Sequence, residues 1–262
     1  MKNPKIGLAL GSGGARGFSH LGVIKVLEEN GVPIDFIAGS SMGALIGTLY
    51  GAGQQVDHLY QLAKTFKRKY FLDFTVPKMG FIQGNRIKDY IQLFTYNKKL
   101  EAFHIPVGIV ATNLYTGKKK VFTEGSPAEA VRASISIPGF FVPAQIGDEL
   151  YIDGGVIDRV PVSVAKEMGA DIVIAVDCSH FIVNTDIQSI YDVMLQSIDI
   201  MQDELVNYIG VDADVMLIPD VSNYSSRAYT NIMEIVEAGE KEAKQKLNQI
   251  FQCIEIWKEK KK

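Results

Sequence analysis

The amino-acid sequence predicts an α/β fold of three layers, in which helices cover both faces of a central, mostly parallel sheet. Short apolar runs alternate with longer helical segments, which is the pattern of consecutive βα units. One run, residues 172–176, is apolar throughout, as expected for a central strand covered on both sides. The length of 262 residues suits one domain with a large core. We therefore expect a single domain over residues 1–262, with its recognisable motifs between about residues 5 and 161.

The expected elements follow one another along most of the chain. Apolar runs place strands at residues 5–10, 35–38, 105–111, 118–122, 171–177 and 214–218. Helical periodicity places helices at residues 17–30, 42–52, 54–68, 85–95, 126–134, 160–168, 186–208 and 226–250. Residues 250–262 are expected to form a solvated tail, and its lysines offer an alternative role as a contact for anionic lipid.

Two segments, residues 70–84 and 138–147, interrupt this alternation. Both are rich in apolar and aromatic residues and are punctuated by proline and glycine. They are either buried connections or an apolar entrance to a site. The sequence does not indicate whether an entrance of this kind would move as a lid. As an entrance they suit acyl chains, and Phe140, Phe141 and Val142 are then expected to contact the chain.

Composition excludes several classes of protein. Apolar residues make up 47% and charged residues 22%, which is an ordinary globular balance. The net charge of −3 argues against a nucleic-acid partner. Cys178 and Cys253 are too few for a disulfide framework and fit a reducing compartment. No group of residues has metal-ligand spacing, so we expect no metal and no cofactor.

The sequence contains no recognisable targeting or membrane-spanning segment. The first apolar run has about five residues, which is shorter than the core of a signal peptide. No run approaches the ~18 apolar residues of a transmembrane helix. We expect a cytoplasmic protein that is able to touch a membrane surface. The sequence carries no indication of its oligomeric state.

Two glycine-rich turns near the N-terminus carry the chemistry. Residues 11–17 (GSGGARG) follow the first strand, and residues 39–43 (GSSMG) follow the second. The second turn has the pattern G-x-S-x-G of a nucleophile elbow, with Ser41 at its tip. Because an elbow is crowded, Gly39 and Gly43 meet its need for small neighbours. The first turn can supply backbone N–H groups to a developing oxyanion.

The base for Ser41 has two candidates in the sequence. Of four histidines, His180 alone follows a strand late in the chain, where the histidine of an α/β-hydrolase triad is found. The competing candidate is Asp153, which lies between a short apolar strand and the turn residues Gly154 and Gly155.

Four motifs follow one another in this order: the Arg16-Gly17 end of the glycine loop, the elbow at residues 39–43, the segment ASISIP at residues 133–138, and Asp153-Gly154-Gly155. This ordered set resembles the bacterial patatin-like phospholipases, which are lipid acyl hydrolases with a Ser–Asp dyad. The resemblance extends from about residue 5 to residue 161. The family loop often begins with three glycines, and Ser12 occupies the first of these positions here.

The resemblance implies a role for each matched residue. Ser41 is implied to be the nucleophile and Asp153 its partner. Gly13, Gly14 and Arg16 fall on the positions of the oxyanion loop, where Arg16 is expected to fix the loop.

The sequence therefore predicts a serine acyl hydrolase that cleaves carboxylic esters of lipids, such as phospholipids or lysophospholipids, through an acyl-Ser41 intermediate. One alternative is a patatin-like adaptor or lipid-binding module without catalysis. Another is a small-ester esterase with a Ser41–His180 triad. A dinucleotide-binding domain is disfavoured because the pattern G-x-G-x-x-G fails at Arg16.

Overall fold

A computed structural model of the chain describes residues 3–67, 69, 73–76, 78–179, 187, 189–225 and 229–261. The strands are β1 (Ile6–Leu10), β2 (Phe36–Ser40), β3 (Val107–Asn113), β4 (Lys119–Phe122), β5 (Ala144–Ile146), β6 (Glu149–Asp153), β7 (Ile172–Val176) and β8 (Val215–Leu217). The helices are α1 (Ser19–Glu29), α2 (Met42–Gly51), α3 (Val56–Thr65), α4 (Asn85–Phe94), α5 (Pro127–Ser134), α6 (Val162–Glu167), α7 (Ile190–Ile209) and α8 (Ile232–Lys260). The expected α/β architecture with a mostly parallel sheet is confirmed.

The strands form one sheet in the order β5-β6-β3-β2-β1-β7-β8, and β4 pairs with β3. β1, β2, β3, β7 and β8 run parallel, whereas β4, β5 and β6 are antiparallel to their neighbours. β3 pairs with β2 as far as Val110, which is opposite Ser40. From Ala111, which is opposite Asp153, β3 pairs with β6. This register brings the ends of β2 and β6 to adjacent positions on β3.

The two faces of the sheet are packed differently. In β1, the large side chains of Ile6, Leu8 and Leu10 enter the main hydrophobic cluster, which includes buried residues of α1, α2 and α8. Ala9 packs on the opposite face with small and β-branched residues of α6. Because both faces of β1 are covered, its sequence is apolar without alternation.

Two expectations for the later part of the chain are corrected. β5 is an additional strand and occupies part of the segment 138–147 that was expected to be irregular, whereas β6 is the short strand expected before Asp153. The expectation of a solvated tail over residues 250–262 is wrong for its first part, because α8 continues to Lys260 and buries Ile250 and Ile254. A four-residue apolar spacing continues the buried stripe of the helix through this lysine-rich stretch.

Helices α1 and α8 pack closely through two glycines. A Cβ atom at Gly239 would lie 2.0 Å from the carbonyl oxygen of Ser19, and a Cβ at Gly22 would lie 2.0 Å from that of Val236. The two helices therefore approach each other at backbone distance. Within the described residues, no helix combines the length and hydropathy needed to cross a bilayer.

We expect Gly239→Ala to lower the free energy of unfolding by roughly 1–3 kcal/mol, since the added methyl group overpacks the contact between α1 and α8. This expected loss is the net change, after the gain of about 1 kcal/mol from the higher helix propensity of alanine. Urea denaturation followed by circular dichroism measures the change. Gln245→Ala, at an exposed position of α8, is the control and should shift stability by no more than about 0.5 kcal/mol. A Gly239→Ala protein as stable as the wild type would contradict the close packing.

Candidate active site

Ser41 occupies the sharp turn between β2 and α2 with an unusual backbone conformation. Its φ is 52° and its ψ is −118°, which a non-glycine residue rarely adopts and which costs energy. The N–H of Ser41 donates a hydrogen bond of 2.9 Å to Oγ of Ser134, at the end of α5. The side chain is buried. The turn thus has the strained geometry expected of a nucleophile elbow.

The elbow forms because its flanking positions carry no side chain. A Cβ atom at Gly43 would lie 2.1 Å from the carbonyl oxygen of Leu10, and one at Gly39 would lie 2.5 Å from Cα of Ala44. Both distances are far below van der Waals contact, so α2 can follow β2 this closely only with glycine at both positions.

The carboxylate of Asp153 is the partner of the Ser41 hydroxyl. Oγ of Ser41 donates a hydrogen bond of 2.6 Å to Oδ2 of Asp153. Oδ1 accepts a hydrogen bond of 2.8 Å from the N–H of Gly155, which fixes the carboxylate plane. A Cβ at Gly154 would lie 2.3 Å from the carbonyl oxygen of Val110, so the turn after β6 also needs glycine. The register on β3 accounts for this meeting of residues far apart in sequence.

Burial changes the acidity of Asp153. The side chain is only 4% exposed, and loss of solvation raises its pKa to about 7, although the hydrogen bonds from Ser41 and Gly155 oppose this rise. The negative charge of Asp199 adds a smaller increase. A carboxylate with a pKa near neutrality is a much stronger base towards a serine hydroxyl than an exposed aspartate.

The glycine loop after β1 faces the same site. Gly13 and Gly14 line a cavity of about 70 Å³ together with Ser41 and Asp153. Gly14 has a φ of 54°, in the left-handed region that favours glycine. The glycine loop and Ser41 therefore line the same cavity, where the backbone N–H groups of the loop are the candidate donors to an oxyanion.

Three side-chain hydrogen bonds fix the position of the loop. Nε2 of His20 lies 2.8 Å from the carbonyl oxygen of Gly11, and because that oxygen only accepts, we assign the proton to Nε2. The Cys178 thiol donates to the carbonyl oxygen of Ser12 at 3.3 Å. Nε of Arg16 donates a 2.7 Å hydrogen bond to the carbonyl oxygen of Tyr224, so the guanidinium ties the loop to the segment before α8.

None of the histidines in the described residues lies against Ser41. His20 is buried, and loss of solvation lowers its pKa to about 4, which leaves the ring neutral. His58 is exposed on α3, and His104 contacts Lys98. His180, the candidate for a triad, lies outside the described residues.

A larger apolar cavity of about 350 Å³ opens onto Ser41. Its walls come from α2, α3, α4 and the segment before β5, and nearly all lining side chains are aliphatic or aromatic. Phe140 and Phe141 are part of the wall, as expected. Val142 is not part of this wall; its backbone N–H donates to the carbonyl oxygen of Ile82, and its carbonyl oxygen accepts from Arg132. Its contact with an acyl chain stays a prediction.

The two irregular segments of the sequence are joined in the structure. The N–H groups of Phe81 and Ile82 donate to the carbonyl oxygen of Phe140 at 2.9 and 3.0 Å. We call residues 73–83 the rim loop, of which Pro77 lies outside the described residues. Ile82 of the rim loop lines the cavity. The expectation of an apolar entrance is thus met by two segments that pair with each other.

Arg132 holds these two segments and was not predicted from the sequence. Its guanidinium is 4% exposed and donates to the carbonyl oxygens of Gln83 and Val142 and to Ser136. The ring of Phe141 lies 5.1 Å from its Cζ atom. The available signal was a charged residue on the apolar side of α5.

Helix α7 also contributes to the site, again without a sequence signal. Leu195, Ile198, Asp199 and Gln202 line the small cavity around Ser41. The buried Arg159 binds this helix to the sheet, because its guanidinium pairs with Asp203 at 3.0 Å and with Asp177, after β7, at 2.6 Å.

Taken together, the site combines a buried hydroxyl, a carboxylate of raised pKa and a neighbouring glycine loop, and the hydroxyl residue also lines an apolar cavity. This arrangement can transfer an acyl group through a covalent serine intermediate. Among the described residues, no group of His, Cys, Asp or Glu is arranged to hold a metal ion.

Two solved structures share the fold of this chain. VipD from Legionella pneumophila aligns with a TM-score of 0.67 over 95% of this chain and 67% of its own chain, with 14% identity. The type III effector protein ExoU aligns with a TM-score of 0.51 over 95% of this chain and 53% of its own, with 11% identity. At these identities the likeness concerns the fold alone.

Comparison of sequences identifies the family of this chain. An uncharacterised NTE family protein of Mycobacterium bovis is 39% identical over 177 residues, or 66% of this chain and 49% of that protein. Lysophospholipase NTE1 of Yarrowia lipolytica is 36% identical over 178 residues, or 66% of this chain and 12% of that protein. The chain therefore spans about half of the mycobacterial relative and a small part of the fungal one. The sequence model described as Patatin-like phospholipase matches residues 8–166, more than half of the chain. The chain belongs to the patatin-like phospholipase family.

Proposed function

We propose that this chain is a serine acyl hydrolase that cleaves carboxylic esters of lipids, with phospholipids or lysophospholipids as substrates. The observation that carries the proposal is the 2.6 Å hydrogen bond from Ser41 to Asp153 at the base of the apolar cavity. Membership of the patatin-like phospholipase family and the similarity to Lysophospholipase NTE1 support it.

In the acylation step, Oγ of Ser41 attacks the ester carbonyl carbon while its proton passes to Oδ2 of Asp153. The carbonyl oxygen becomes an oxyanion, which the N–H groups of Gly13 and Gly14 stabilise. The carbon–oxygen bond to the alcohol then breaks, and the alkoxide takes the proton from Asp153. The acyl group remains on Ser41 and the alcohol leaves.

In the deacylation step, Asp153 accepts a proton from water as the water attacks the acyl-Ser41 carbonyl. The second oxyanion collapses, the bond to Ser41 breaks, and Oγ recovers the proton from Asp153. Both steps need ionised Asp153 at their start, so hydrolysis is expected to increase as pH rises through about 7.

The apolar cavity supplies binding energy for the acyl chain. Transfer of each methylene group from water into such an environment stabilises the complex by about 0.8 kcal/mol. Phe140 and apolar side chains of α4 line the cavity that also contains Ser41, and they offer this environment. We also propose a cytoplasmic location, which the free thiols of Cys178 and Cys253 support.

Ser41→Ala and Asp153→Asn should each lower kcat for a short-chain aryl ester by at least about a thousandfold, since nucleophile and base act as a unit. A fluorophosphonate probe should label the wild type and leave Ser41→Ala unlabelled. The control is His180→Ala, which should keep kcat within about threefold. If His180→Ala abolished hydrolysis while Asp153→Asn remained active, the triad would replace the dyad. A wild-type protein that the fluorophosphonate probe does not label would favour the alternative of an adaptor or lipid-binding module without catalysis.

Asp153→Asn should also stabilise the protein at alkaline pH. The pKa of Asp153 is raised to about 7 in the folded chain from 3.8. Between these values the unfolded chain has lost the proton that the folded chain retains, so stability decreases as pH rises and the full cost is present above pH ~7. Asparagine cannot ionise. The free energy of unfolding of Asp153→Asn, measured relative to that of the wild type, should therefore increase by up to about 4 kcal/mol between pH ~4 and pH ~8.

Chemical denaturation across this pH range measures the difference. Asp148→Asn, at an exposed turn before β6, is the matched control and should show no such trend. Equal pH dependence in the two variants would contradict a buried carboxylate of raised pKa.

Gly13→Ala tests the oxyanion loop. An added Cβ at Gly13 would lie 2.7 Å from Sγ of Cys178. The loop must shift, and we expect kcat to fall by about a hundredfold with little change in KM. In the double variant with Cys178→Ala, the vacated space should restore at least tenfold of the lost kcat. Full activity of Gly13→Ala would argue against this loop as the oxyanion site.

A further inference from the structure

We propose that the rim loop, together with the basic side chains around it, docks onto the surface of an anionic phospholipid bilayer and presents the mouth of the apolar cavity to the lipid. This inference rests on the proposed lipid hydrolysis and identifies the face of the molecule through which the substrate enters.

The first observation is the exposure of apolar side chains on the rim loop. Phe74 is 74% exposed, Val76 is 80% exposed and Met79 is 57% exposed. Phe74 pairs through a β-bridge with Ile82, whose side chain lines the cavity. The exposed group and the cavity wall thus belong to the same short hairpin-like loop. Contiguous exposed apolar surface next to a binding site indicates an interaction surface.

The second observation is the charge of the chain around this loop. Residues 64–89 contain seven lysines and arginines and two aspartates, whereas the whole chain has a net charge of −3. Lys64 and Lys78 are exposed, and Lys67 lies at the wall of the cavity. Asp73 is engaged by the N–H groups of Gly84 and Asn85 at 2.7 and 2.9 Å. Lys88 of this stretch pairs with Glu129, and the other basic residues still outnumber the aspartates in the part of the sequence that contains the rim loop.

The third observation is a second set of exposed apolar side chains at the start of α7. Ile190 and Val193 are mostly exposed, while Leu195 on the same helix lines the cavity. Met194 packs against Gly139, with Cε 2.2 Å from the position of an added Cβ. Gly139 belongs to the segment that pairs with the rim loop. Exposed apolar groups thus flank the entrance on two elements that are connected by contacts.

An anionic bilayer matches this combination of charge and apolarity. Each basic residue near such a surface contributes about 1 kcal/mol, and inserted apolar side chains add the hydrophobic term. Exposed apolar side chains alone would suit a protein partner, and basic side chains alone would suit free phosphate, whereas this surface has both. Only the lipid surface also supplies the proposed substrate to the cavity.

The experiment is co-sedimentation of the full chain with vesicles of phosphatidylcholine alone or mixed with anionic phosphatidylglycerol, at about 0.05 M and about 0.5 M NaCl. The wild type should bind the anionic vesicles, bind neutral vesicles more weakly, and lose most anionic binding at high salt. Lys64→Gln/Lys78→Gln should weaken anionic binding roughly 25-fold at low salt, at about fivefold per lysine. Phe74→Ser/Val76→Ser should weaken binding to both vesicles about tenfold or more.

The matched controls lie on α8. Lys260→Gln/Lys261→Gln removes the same charge from the end of the chain, and Ile256→Ser removes an exposed apolar side chain there. These variants should bind within about twofold of the wild type. Loss of binding in the α8 variants with retention in the rim variants would overturn the proposal and assign the contact to the C-terminal end. Equal binding by all variants, or no binding by the wild type, would also overturn it.

Hydrolysis of a soluble short-chain ester separates this inference from the proposed function. The rim variants should hydrolyse it at the wild-type rate but cleave phospholipid in anionic vesicles at least tenfold more slowly. Ser41→Ala should bind vesicles like the wild type and hydrolyse neither substrate. A protein that hydrolyses the soluble ester through Ser41 but ignores vesicles retains the proposed chemistry and loses the docking surface.

Discussion

The hydrogen bond between Ser41 and Asp153 is the interaction on which the rest of the site depends. It requires a serine in a strained conformation and a carboxylate removed from water, both of which are unfavourable in isolation. The surrounding fold stabilises both. Two glycines let α2 pack against β1 and β2, and the pairing of β6 with β3 brings the carboxylate alongside the elbow. The sheet register and the glycines are therefore as important to the proposed chemistry as the two side chains.

Arg132 organises the entrance of the apolar cavity. A buried guanidinium is costly unless its donors are satisfied, and here backbone carbonyls of both entrance segments accept from it. The same carbonyls anchor the rim loop to the segment before β5. The entrance thus has a rigid inner edge at Arg132 and an exposed outer edge at Phe74 and Val76, which suits a loop that meets lipid while its base stays in place.

The glycine loop is supported in a comparable way. His20 and Cys178 contact the carbonyl oxygens of Gly11 and Ser12, and Arg16 of the loop donates to the carbonyl oxygen of Tyr224. Arg159 connects α7 to β7 through two carboxylates, and its own carbonyl oxygen accepts from Ser12 at 2.9 Å. Loop, helix and sheet are consequently coupled around the site.

The sequence by itself determined the α/β alternation, the elbow at Ser41 and the glycine loop, because these depend on local patterns of apolar runs and on positions where only glycine fits. Asp153 was identified through an ordered set of motifs, and the exclusion of Val142 from the cavity wall was not foreseeable. Only the tertiary structure decided which side chains enclose the site. Arg132, Arg159 and Asp199 act through partners far away in sequence, and α8 buries residues in a lysine-rich stretch that was expected to be solvated. Contacts of this kind are set by packing and register between distant elements, for which a single sequence carries no local signal.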